Sequence, residues 1–497
     1  NPDLTFTYKS QAYVYTFNQT GTAYFDLGTS AGVYGLKTDS VPITTPGTAW
    51  SLWDDWVDPP FTLLPNTTYH WRVRFVSTSG PTYVGTNQTF TTLSTGNVTL
   101  GDGTSASCNT TSLNTALNPG GLTDLDFDCG SNPISIAMAL TRAVPVDLKI
   151  NGGNVVTLVA PTNARHFDVS GGAKLTLENI TLSNGNATTG CGGAIRVSGN
   201  SSLVANRVSF LNNNSQGDGG ALCVIAGSQA TLNSSLFSRN TAIGQGGAIY
   251  SQGSLSLIWT DVSRNSAGTN GGGIAYDAPF AGPFLDVFRS LISENAATGP
   301  SSKGGGLYIL GNGEVNTSSV VLNTAVDGAG IYALNSTPNL QSATIAYNRG
   351  SVSGGLFAAG AGGFSAGGSI IALNQPANCV PGQTVTSFGY NLENSNTCGL
   401  NGTGDIKNVN PQLDSLRFNG GASRTVFLKT GSPALDAGNP AGCGQFDQRG
   451  FYGTPGEIIL RAADGNGDSV ARCDIGALER LPGDTQINDI FLPLIKR

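Results

Sequence analysis

The chain has 497 residues and a formal net charge of −7, and only 11% of its residues are charged whereas 69 are glycine. A charge-poor, mildly acidic chain has no basic surface to neutralise phosphates, so we expect no nucleic-acid partner. No segment approaches the ~20 consecutive apolar residues of a membrane-spanning helix, and we predict no transmembrane segment. The chain begins at Asn1 without a signal peptide, so we expect a mature secreted protein.

Residues 1–94 alternate apolar and polar residues between turn residues, which is typical of antiparallel strands. The most specific element is the alternating run Leu63-x-Pro65-x-Thr67-x-Tyr69-x-Trp71-x-Val73. This run resembles the tyrosine-corner strand of fibronectin type III domains. The resemblance implies a β-sandwich over residues 1–94. It says little about function, because such domains serve as spacers, sticky modules or assembly faces.

From residue 97 onward the pattern changes to a repeat, in which a glycine-rich opening with an aliphatic residue is followed by an apolar-x-x-Asn closing. The seven openings start at Gly192, Gly219, Gly246, Gly271, Gly304, Gly328 and Ser353, between 24 and 33 residues apart. The closings start at Phe210, Phe237, Val262, Ile292, Val320, Ile345 and Ile371. They end on Asn213, Asn240, Asn265, Asn295, Asn323, Asn348 and Asn374. Repeats of this length are stacked units, none of which buries its apolar face alone.

The repeat predicts an all-β fold with a right-handed parallel β-helix over residues 97–408. We expect the apolar column of the closings to face inward and to stack from rung to rung. The opening glycines would supply backbone geometry that other residues avoid, and the asparagines would pair their amides along the axis. Residues 113–117 are predicted to form an amphipathic helical turn, which we expect to cap the first rung.

Two sets of motifs resemble known families. The Gly-Gly-Ala-Ile and Phe-x-x-Asn motifs resemble those of polymorphic outer-membrane adhesins. Residues 409–479 resemble the end of the choice-of-anchor Q group of surface β-helix proteins, through the motifs at 410–413, 419–421, 431–438, 447–450 and 473–479. These resemblances imply a β-helix on a bacterial cell surface. They imply little about activity.

Residues 409–497 are predicted to form a segment that closes the helix and ends in a tail strand. This segment contains the run Asp464-Gly465-Asn466-Gly467-Asp468, whose D-x-N-x-D spacing places three oxygen ligands around Ca²⁺. With Asp474 as a further ligand, it is a candidate calcium site and the only cofactor that the sequence suggests. The motif is not an EF-hand, because its sixth and twelfth positions are Ser469 and Ile475. An acidic turn without metal stays open as the alternative.

Eight cysteines in a secreted chain indicate disulfide bonds. Three local pairs would close loops of about 20 to 30 residues, namely Cys108 with Cys129, Cys379 with Cys398, and Cys443 with Cys473. The pair Cys191 with Cys223 is uncertain. On adjacent rungs these two residues are offset by about five positions, or roughly 16 Å, which is too far unless the turn folds back.

Few charged residues are placed for chemistry. Arg239, Arg264 and Glu294 each precede an asparagine of the column, so they form either a sugar-binding groove or, as we expect, a solvated charge ladder. Asp124, Asp126 and Asp128 alternate along one strand and form either a cation site or, as we expect, a solvated face. His70 and His166 are the only histidines, and we predict no histidine chemistry.

We therefore predict a non-catalytic, secreted structural protein that assembles head to tail with copies of itself into a filament or surface layer. Terminal strands of a β-helix invite stacking, and we expect the strands that join copies to come from the chain ends. The candidate residues are Leu4, Phe6, Tyr8, Phe491, Leu492, Leu494 and Ile495. Two alternatives stay open: a monomeric adhesin for glycans or other surfaces, and a polysaccharide lyase or glycosidase. Numerous N-x-S/T sites would make the rod a glycoprotein if the source organism glycosylates.

Overall fold

The computed structural model describes residues 11–15, 19–37, 40–44, 49–53, 68–91, 96–117, 122–279, 282–421, 423–444, 446–450 and 461–481. The chain forms two compact units, Asn1–Asn97 and Val98–Arg497. The predicted assembly strands at residues 4–8 and 491–495 lie outside the described residues.

The described part of the first unit is antiparallel β structure. Its strands are Gln11–Tyr15, Gly21–Gly28, Leu36–Lys37, Val41–Ile43, Ala49–Trp53, Thr68–Ser77, Thr82–Val84 and Gln88–Thr91. The longest pairing joins Gly21–Gly28 to Thr68–Ser77, and it buries Phe25 and Tyr69. Across the sheet, Asp26 accepts hydrogen bonds from Arg72 Nε at 3.1 Å and Arg74 Nε at 2.7 Å. The fibronectin type III sandwich stays a prediction.

The second unit is a β-solenoid of four sheets, which confirms the predicted all-β, parallel β-helix class. Sheet 1 contains Asn97–Leu100, Asp124–Phe127, Leu148–Asn151, Lys174–Glu178, Ser202–Asn206, Gln229–Asn233, Ser254–Ile258, Phe284–Phe288, Asn312–Asn316, Asn339–Gln341, Phe364–Gly367 and Val385–Ser387. Sheet 2 contains Ile134–Ala137, Val156–Val159, Thr181–Ser183, Ser209–Leu211, Leu236–Ser238, Asp261–Ser263, Leu291–Ser293, Ser319–Val321, Thr344–Ala346, Ile370–Ala372, Leu392–Glu393 and Ile406–Lys407.

Two shorter sheets complete the coil. Sheet 3 contains Arg142–Val144, Phe167–Val169, Ile195–Val197, Leu222–Val224, Ile249–Ser251, Ile274–Asp277, Leu307–Leu310, Ile331–Leu334 and Leu356–Ala359. Sheet 4 contains Asn186–Ala187, Asn214–Ser215, Thr241–Ala242, Ser266–Ala267 and Ala296–Ala297. From the strand Asp124–Phe127 onward the rungs pair in parallel. The right-handed sense of the coil stays a prediction.

The apolar column predicted from the closings faces the core. Phe210 pairs with Phe237 across adjacent rungs, and Ile345 pairs with Ile371 further along. All seven members of the column have no exposed surface, and the rings of Phe210 and Phe237 stack with their centroids 4.3 Å apart. The predicted apolar column is therefore confirmed, because its members pair across successive rungs and all are buried in the core.

The start of the coil is covered by a short 3₁₀ helix, Ser105–Ser107, and by helix α1, Thr110–Leu117. Leu113 and Leu117 of α1 are buried and belong to the same apolar core as the rungs. Asn109 caps the helix, because its Oδ1 accepts the backbone N–H groups of Thr111 and Ser112 at 3.0 and 3.1 Å. The predicted cap is therefore a complete helix of eight residues.

The structure contains the three local disulfide bonds and also a bond between Cys191 and Cys223. For the fourth pair, the estimated separation of roughly 16 Å was wrong. Gly192 has φ +77° and turns the chain back over its own strand, so the Cα atoms of Cys191 and Cys223 lie 5.6 Å apart. Arg165 holds this turn by donating to the carbonyl oxygens of Thr189, Cys191 and Gly192 at 3.0–3.2 Å.

The described residues between 409 and 481 do not follow the coil. Two antiparallel strands, Leu413–Arg417 and Thr425–Leu428, begin this segment, and the described remainder, up to residue 481, has no further strand or helix. The described part of the segment lies along the outer face of sheet 2, and the closure of the helix end by residues 409–497 stays a prediction. The last rungs are instead completed by the loop of Cys379 and Cys398, whose residues, with Leu400, join the solenoid core.

Candidate functional site

The asparagine column forms an unbroken ladder of buried hydrogen bonds. From Asn213 to Asn374, each Nδ2 donates to the Oδ1 of the asparagine on the next rung at 2.9–3.0 Å. Each Nδ2 also donates to a strand carbonyl of the preceding rung, and the backbone N–H of each member donates to the same Oδ1 as its amide. Every amide in the ladder is therefore satisfied, as buried polar groups require.

The ladder ends on a carboxylate. Asn374 donates to Asn378 Oδ1 at 3.1 Å, and Asn378 Nδ2 donates to Glu393 Oε1 at 3.3 Å. Glu393 is fully buried, and its Oε1 also accepts from the backbone N–H and hydroxyl of Thr397 at 2.9 and 2.8 Å. Because all the amides point their N–H groups toward this end, a side chain that only has to accept hydrogen bonds completes the column.

A second column of hydroxyl groups lines the turn between sheets 1 and 2. Its members accept a backbone N–H of the preceding rung and donate to a carbonyl. They are Ser235, Thr260, Ser290, Ser318 and Ser369. This column also ends on a carboxylate, since Asn391 follows Ser369 and its backbone N–H donates to Asp405 Oδ1 at 2.9 Å. The sequence analysis missed this column, although a Ser or Thr stands five residues before the final asparagine in five of the seven closings.

The outer face of sheet 2 carries the C-terminal segment through a second apolar core. On the solenoid side the buried members are Leu291, Val321, Ala346, Ile370, Ala372 and Leu392. On the segment side they are Leu413, Val426, Leu428, Ala434, Leu435 and Ile475. Their side chains leave water together, and this burial is the main force that holds the segment on the coil. We call the described residues between 413 and 479 the strap.

Polar contacts fix the position of the strap along the rungs. Ser319 Oγ donates to Gln448 Oε1 at 2.6 Å, and the backbone N–H of Ala477 donates to Thr344 Oγ1 at 3.0 Å. The guanidinium of Arg289 lies 4.9 Å from the ring centroid of Phe446. Because these contacts fall on three successive rungs, the strap runs lengthwise along the coil.

Part of the predicted charge column belongs to this docking site. Glu294 accepts from Arg264 Nε at 2.6 Å and from Arg424 Nη1 of the strap at 3.1 Å. Although burial raises the pKa of Glu294, the hydrogen bonds from Arg424 and Arg264 bring it below its ordinary value. Arg239, two rungs before Glu294, is exposed. The column is thus a charge ladder in part, and its Glu294 clamps the strap.

Within the strap, many backbone N–H groups donate to buried carboxylates and not to the carbonyl groups of a sheet or helix. Asp436 accepts the backbone N–H groups of Gly465 and Asn466, and Asp474 accepts those of Asp436 and Arg480, at 2.7–3.2 Å. Glu479 accepts the N–H groups of Ala463 and Asp474 at 3.2 and 2.9 Å. Each carboxylate joins stretches of chain that lie far apart in sequence.

Two buried arginines complete this network. Arg449 donates to Asp447 Oδ2 at 2.8 Å and to the carbonyl of Glu479, and Arg461 donates to the carbonyl of Gly476. Burial, together with the negative charge of Asp474, raises the pKa of Glu479 above the ordinary value of a carboxyl group. Burial likewise raises the pKa of Asp474. Sequence spacing does not predict this network, because its partners show no periodic separation.

The predicted calcium ligands are engaged by the chain itself. Asp464 Oδ1 accepts the N–H groups of Gly467 and Asp468 at 2.6 and 3.1 Å, and its Oδ2 accepts that of Ser469 at 2.8 Å. The fourth candidate, Asp474, is buried in the strap network. Among the described residues, no group of three or more acidic, histidine or cysteine side chains is arranged to hold a metal ion. Calcium binding stays a prediction, which melting temperatures at increasing Ca²⁺ concentration test.

The remaining candidates lie apart from the strap. Burial and the charge of Asp126 raise the pKa of Asp124, whose strand neighbour is Lys149. His166 is fully buried, and burial lowers its pKa to about 4. In the other unit, His70 Nδ1 accepts from Asn87 Nδ2 at 3.0 Å.

One pair of carboxylates was missed by the sequence analysis. Asp286 and Glu314 are direct partners on adjacent strands of sheet 1, and burial raises the pKa of each. Ser256 Oγ donates to Asp286 at 3.2 Å. The available signal was a carboxylate at the same strand position in consecutive repeats, 28 residues apart.

The fold and the two turn columns define the class of the second unit as a parallel β-solenoid. Two segments, residues 207–225 and 234–252, match the family model described as the Chlamydia polymorphic membrane protein repeat. Each spans one closing and the next glycine opening, so the match and the solenoid together fit a surface protein of this repeat type. None of the curated proteins and none of the solved structures shows a significant match.

In the part of the chain that the structure describes, no helix has the length and apolar character needed to cross a membrane. The choice-of-anchor Q resemblance of the C-terminal residues stays a prediction.

Proposed function

We propose that the protein is a non-catalytic structural component of a bacterial outer surface, in which the solenoid serves as a rigid rod. The observation that carries this proposal is the amide ladder from Asn213 to Glu393, which links consecutive rungs by buried hydrogen bonds. Four disulfide bonds suit an oxidising location outside the cell. The polymorphic membrane protein repeat match supports an outer-surface location.

We further propose that copies join head to tail into a filament. Contacts between two different surfaces of one molecule do not close on themselves, and they propagate into a fibre when the rotation between copies leaves the ring open. The sheets of a solenoid end in edge strands, which favour such contacts. The apolar terminal segments at residues 4–8 and 490–495 supply material for pairing with a neighbouring edge.

Two measurements test this function. On intact cells, a membrane-impermeant amine label should modify the protein's lysines before lysis, and labelling only after lysis would contradict the surface location. In sedimentation velocity, the purified protein should show concentration-dependent growth to large assemblies. A single monomeric species at every concentration would contradict the filament and favour the monomeric adhesin.

A second candidate function rests on Asp286 and Glu314. Two carboxylates flanking a glycosidic bond serve as acid and base or nucleophile in glycosidases, and raised pKa values suit the acid. If the solenoid cleaves polysaccharide, Asp286→Asn and Glu314→Gln should each abolish release of reducing ends from a glycan panel. We expect no release from the unmodified protein, and release that both variants abolish would overturn the non-catalytic proposal.

A further inference from the structure

The two ends of the solenoid differ in how they are closed. At the C-terminal end, the buried Glu393 and the carboxylate of Asp405 tie the last loops to the turn columns. At the N-terminal end, Asn97–Leu100 is the outermost strand of sheet 1, and no described strand pairs with its outer edge. Among the described strands, the outer edge of Asn97–Leu100 therefore has no partner in the sheet.

A groove of about 770 Å³ runs between this edge strand and helix α1. We call it the end groove. Its lining residues are Val98, Thr99, Leu100, Gly101, Asn109, Thr111, Ser112, Thr115 and Ala116. None of them is charged, and the buried Leu100 and Ala116 give the groove an apolar floor.

The end groove is held in a fixed shape. The disulfide bond of Cys108 and Cys129 ties the loop before α1 to the first rungs, and Cys108 Sγ lies 3.5 Å from the carbonyl oxygen of Leu100. The fully buried Leu113 anchors α1 in the core. Because the groove already has its binding shape, it loses little conformational entropy when a ligand binds.

We propose that the end groove accepts residues 490–495 of a second copy, which add as an extra strand to the outer edge of Asn97–Leu100. This inference rests on the proposed filament, and it identifies the surface that receives the neighbouring copy. Eight residues, 482–489, separate Leu481 from this run, and at ~3.3 Å per extended residue they span up to about 26 Å. The run Ile490-Phe491-Leu492-Pro493-Leu494-Ile495 carries no charge and suits an uncharged groove.

Pro493 also fits this role. A proline lacks the N–H group that a central strand donates, so within sheets it is confined to edge strands and bulges. A strand added to Asn97–Leu100 pairs on one side only, and Pro493 is tolerated where its nitrogen faces solvent. Leu492 and Leu494, two residues apart, would place their side chains on one face, toward the groove floor.

Complementation between full-length variants tests the proposal. Thr115→Arg places a charged side chain in the groove from an exposed position, and Leu492→Asp with Leu494→Asp charges the tail. Each variant alone should sediment as a monomer, whereas their equimolar mixture should form a dimer, joined by one intact groove and one intact tail. Asn114→Arg, on α1 but outside the groove, should assemble like the unmodified protein.

The outcomes separate the groove from the filament. Assemblies of the unmodified protein that survive Thr115→Arg would overturn the groove and leave the filament intact. If the unmodified protein never assembles, the filament is contradicted. If the equimolar mixture of the groove and tail variants also stays monomeric, the groove is overturned as well. If charged substitutions at Phe6 and Tyr8 abolish assembly while the variant with Leu492→Asp and Leu494→Asp still assembles, residues 490–495 are not the occupant of the groove.

Discussion

The asparagines of the turn column contribute to stability because their side chains make several hydrogen bonds inside the solenoid, four in the case of Asn265. Asn265 donates to Asn295 Oδ1 and to the carbonyl of Phe237, and its Oδ1 accepts both the backbone N–H and the amide of Asn240. Removing one partner of a buried hydrogen bond leaves the other unsatisfied, and each such group costs about 1–3 kcal/mol. The ladder is therefore sensitive to single substitutions.

We expect Asn265→Ala to lower the free energy of unfolding by about 2–4 kcal/mol, because it strands the donors of Asn240 and the carbonyl of Phe237. Asn312→Ala is the matched control, since Asn312 is an exposed strand residue of the same solenoid. Urea unfolding followed by circular dichroism measures both variants. Equal stability of the two variants would contradict the structural role of the ladder.

This column could be predicted from the sequence because its members recur once per rung, at one offset from an apolar residue. Its αL positions were not predicted. Arg239, Arg264 and Glu294 have φ of +57° to +59°, a conformation that side chains other than Asn and Asp seldom adopt. The turn imposes it, because the following asparagine must point into the core.

The sequence predicted a separate C-terminal segment but did not predict that its described part, the strap, packs on the outer face of sheet 2. Its motifs are recognisable between residues 410 and 479, but its contacts with the coil join residues about 130 positions apart, as between Ser319 and Gln448. A usable signal lay in sheet 2. Leu291-Ile292, Val320-Val321 and Ile370-Ile371 are adjacent apolar pairs, and consecutive apolar residues in a strand indicate that both faces are buried.

We expect Arg424→Ala to loosen the strap without unfolding the coil. The variant removes an ion pair in which Glu294 is 28% and Arg424 15% exposed, a contact worth about 0.5–1 kcal/mol. Hydrogen exchange at residues 425–428 should become several-fold faster, and exchange at the rung of Val262 should not change.

Arg239→Ala is the control for this experiment, because Arg239 is an exposed arginine that holds the position of Glu294 two rungs earlier. In this variant, hydrogen exchange at residues 425–428 should match that of the unmodified protein. Identical exchange at residues 425–428 in both variants would show that Arg424 has no part in docking.

The strap should also respond to pH. The pKa values of Glu479 and Asp474 are raised in the folded chain, so folding favours their protonated forms. The stability they contribute is complete below about pH 4, the ordinary range of a carboxyl group. It is lost as the pH rises through the raised pKa values, and docking should weaken toward alkaline pH.

Hydrogen exchange of residues 473–479, corrected for the intrinsic effect of pH, measures this trend between pH 5 and pH 9. Glu479→Gln keeps the side-chain shape without the titrating proton, so its profile should be flatter. Protection that increases with pH in the unmodified protein would contradict the assignment.

At the scale of the whole molecule, the solenoid unit is a rod whose two ends are covered by different elements. Twelve strands of sheet 1 at ~4.8 Å spacing give it a length of about 55 Å. The repeat predicts the rod, since stacking is the only way for such units to bury their apolar faces. The difference between the ends depends on Glu393, Asp405 and helix α1, which occur once each and therefore show no repeat signal.

Electron microscopy of the material on the native cell surface tests the central claim most directly. We predict continuous filaments in which one chain recurs along the axis and which an antibody against the solenoid labels along their whole length. Isolated particles of single chains, with no filament labelled, would contradict the account.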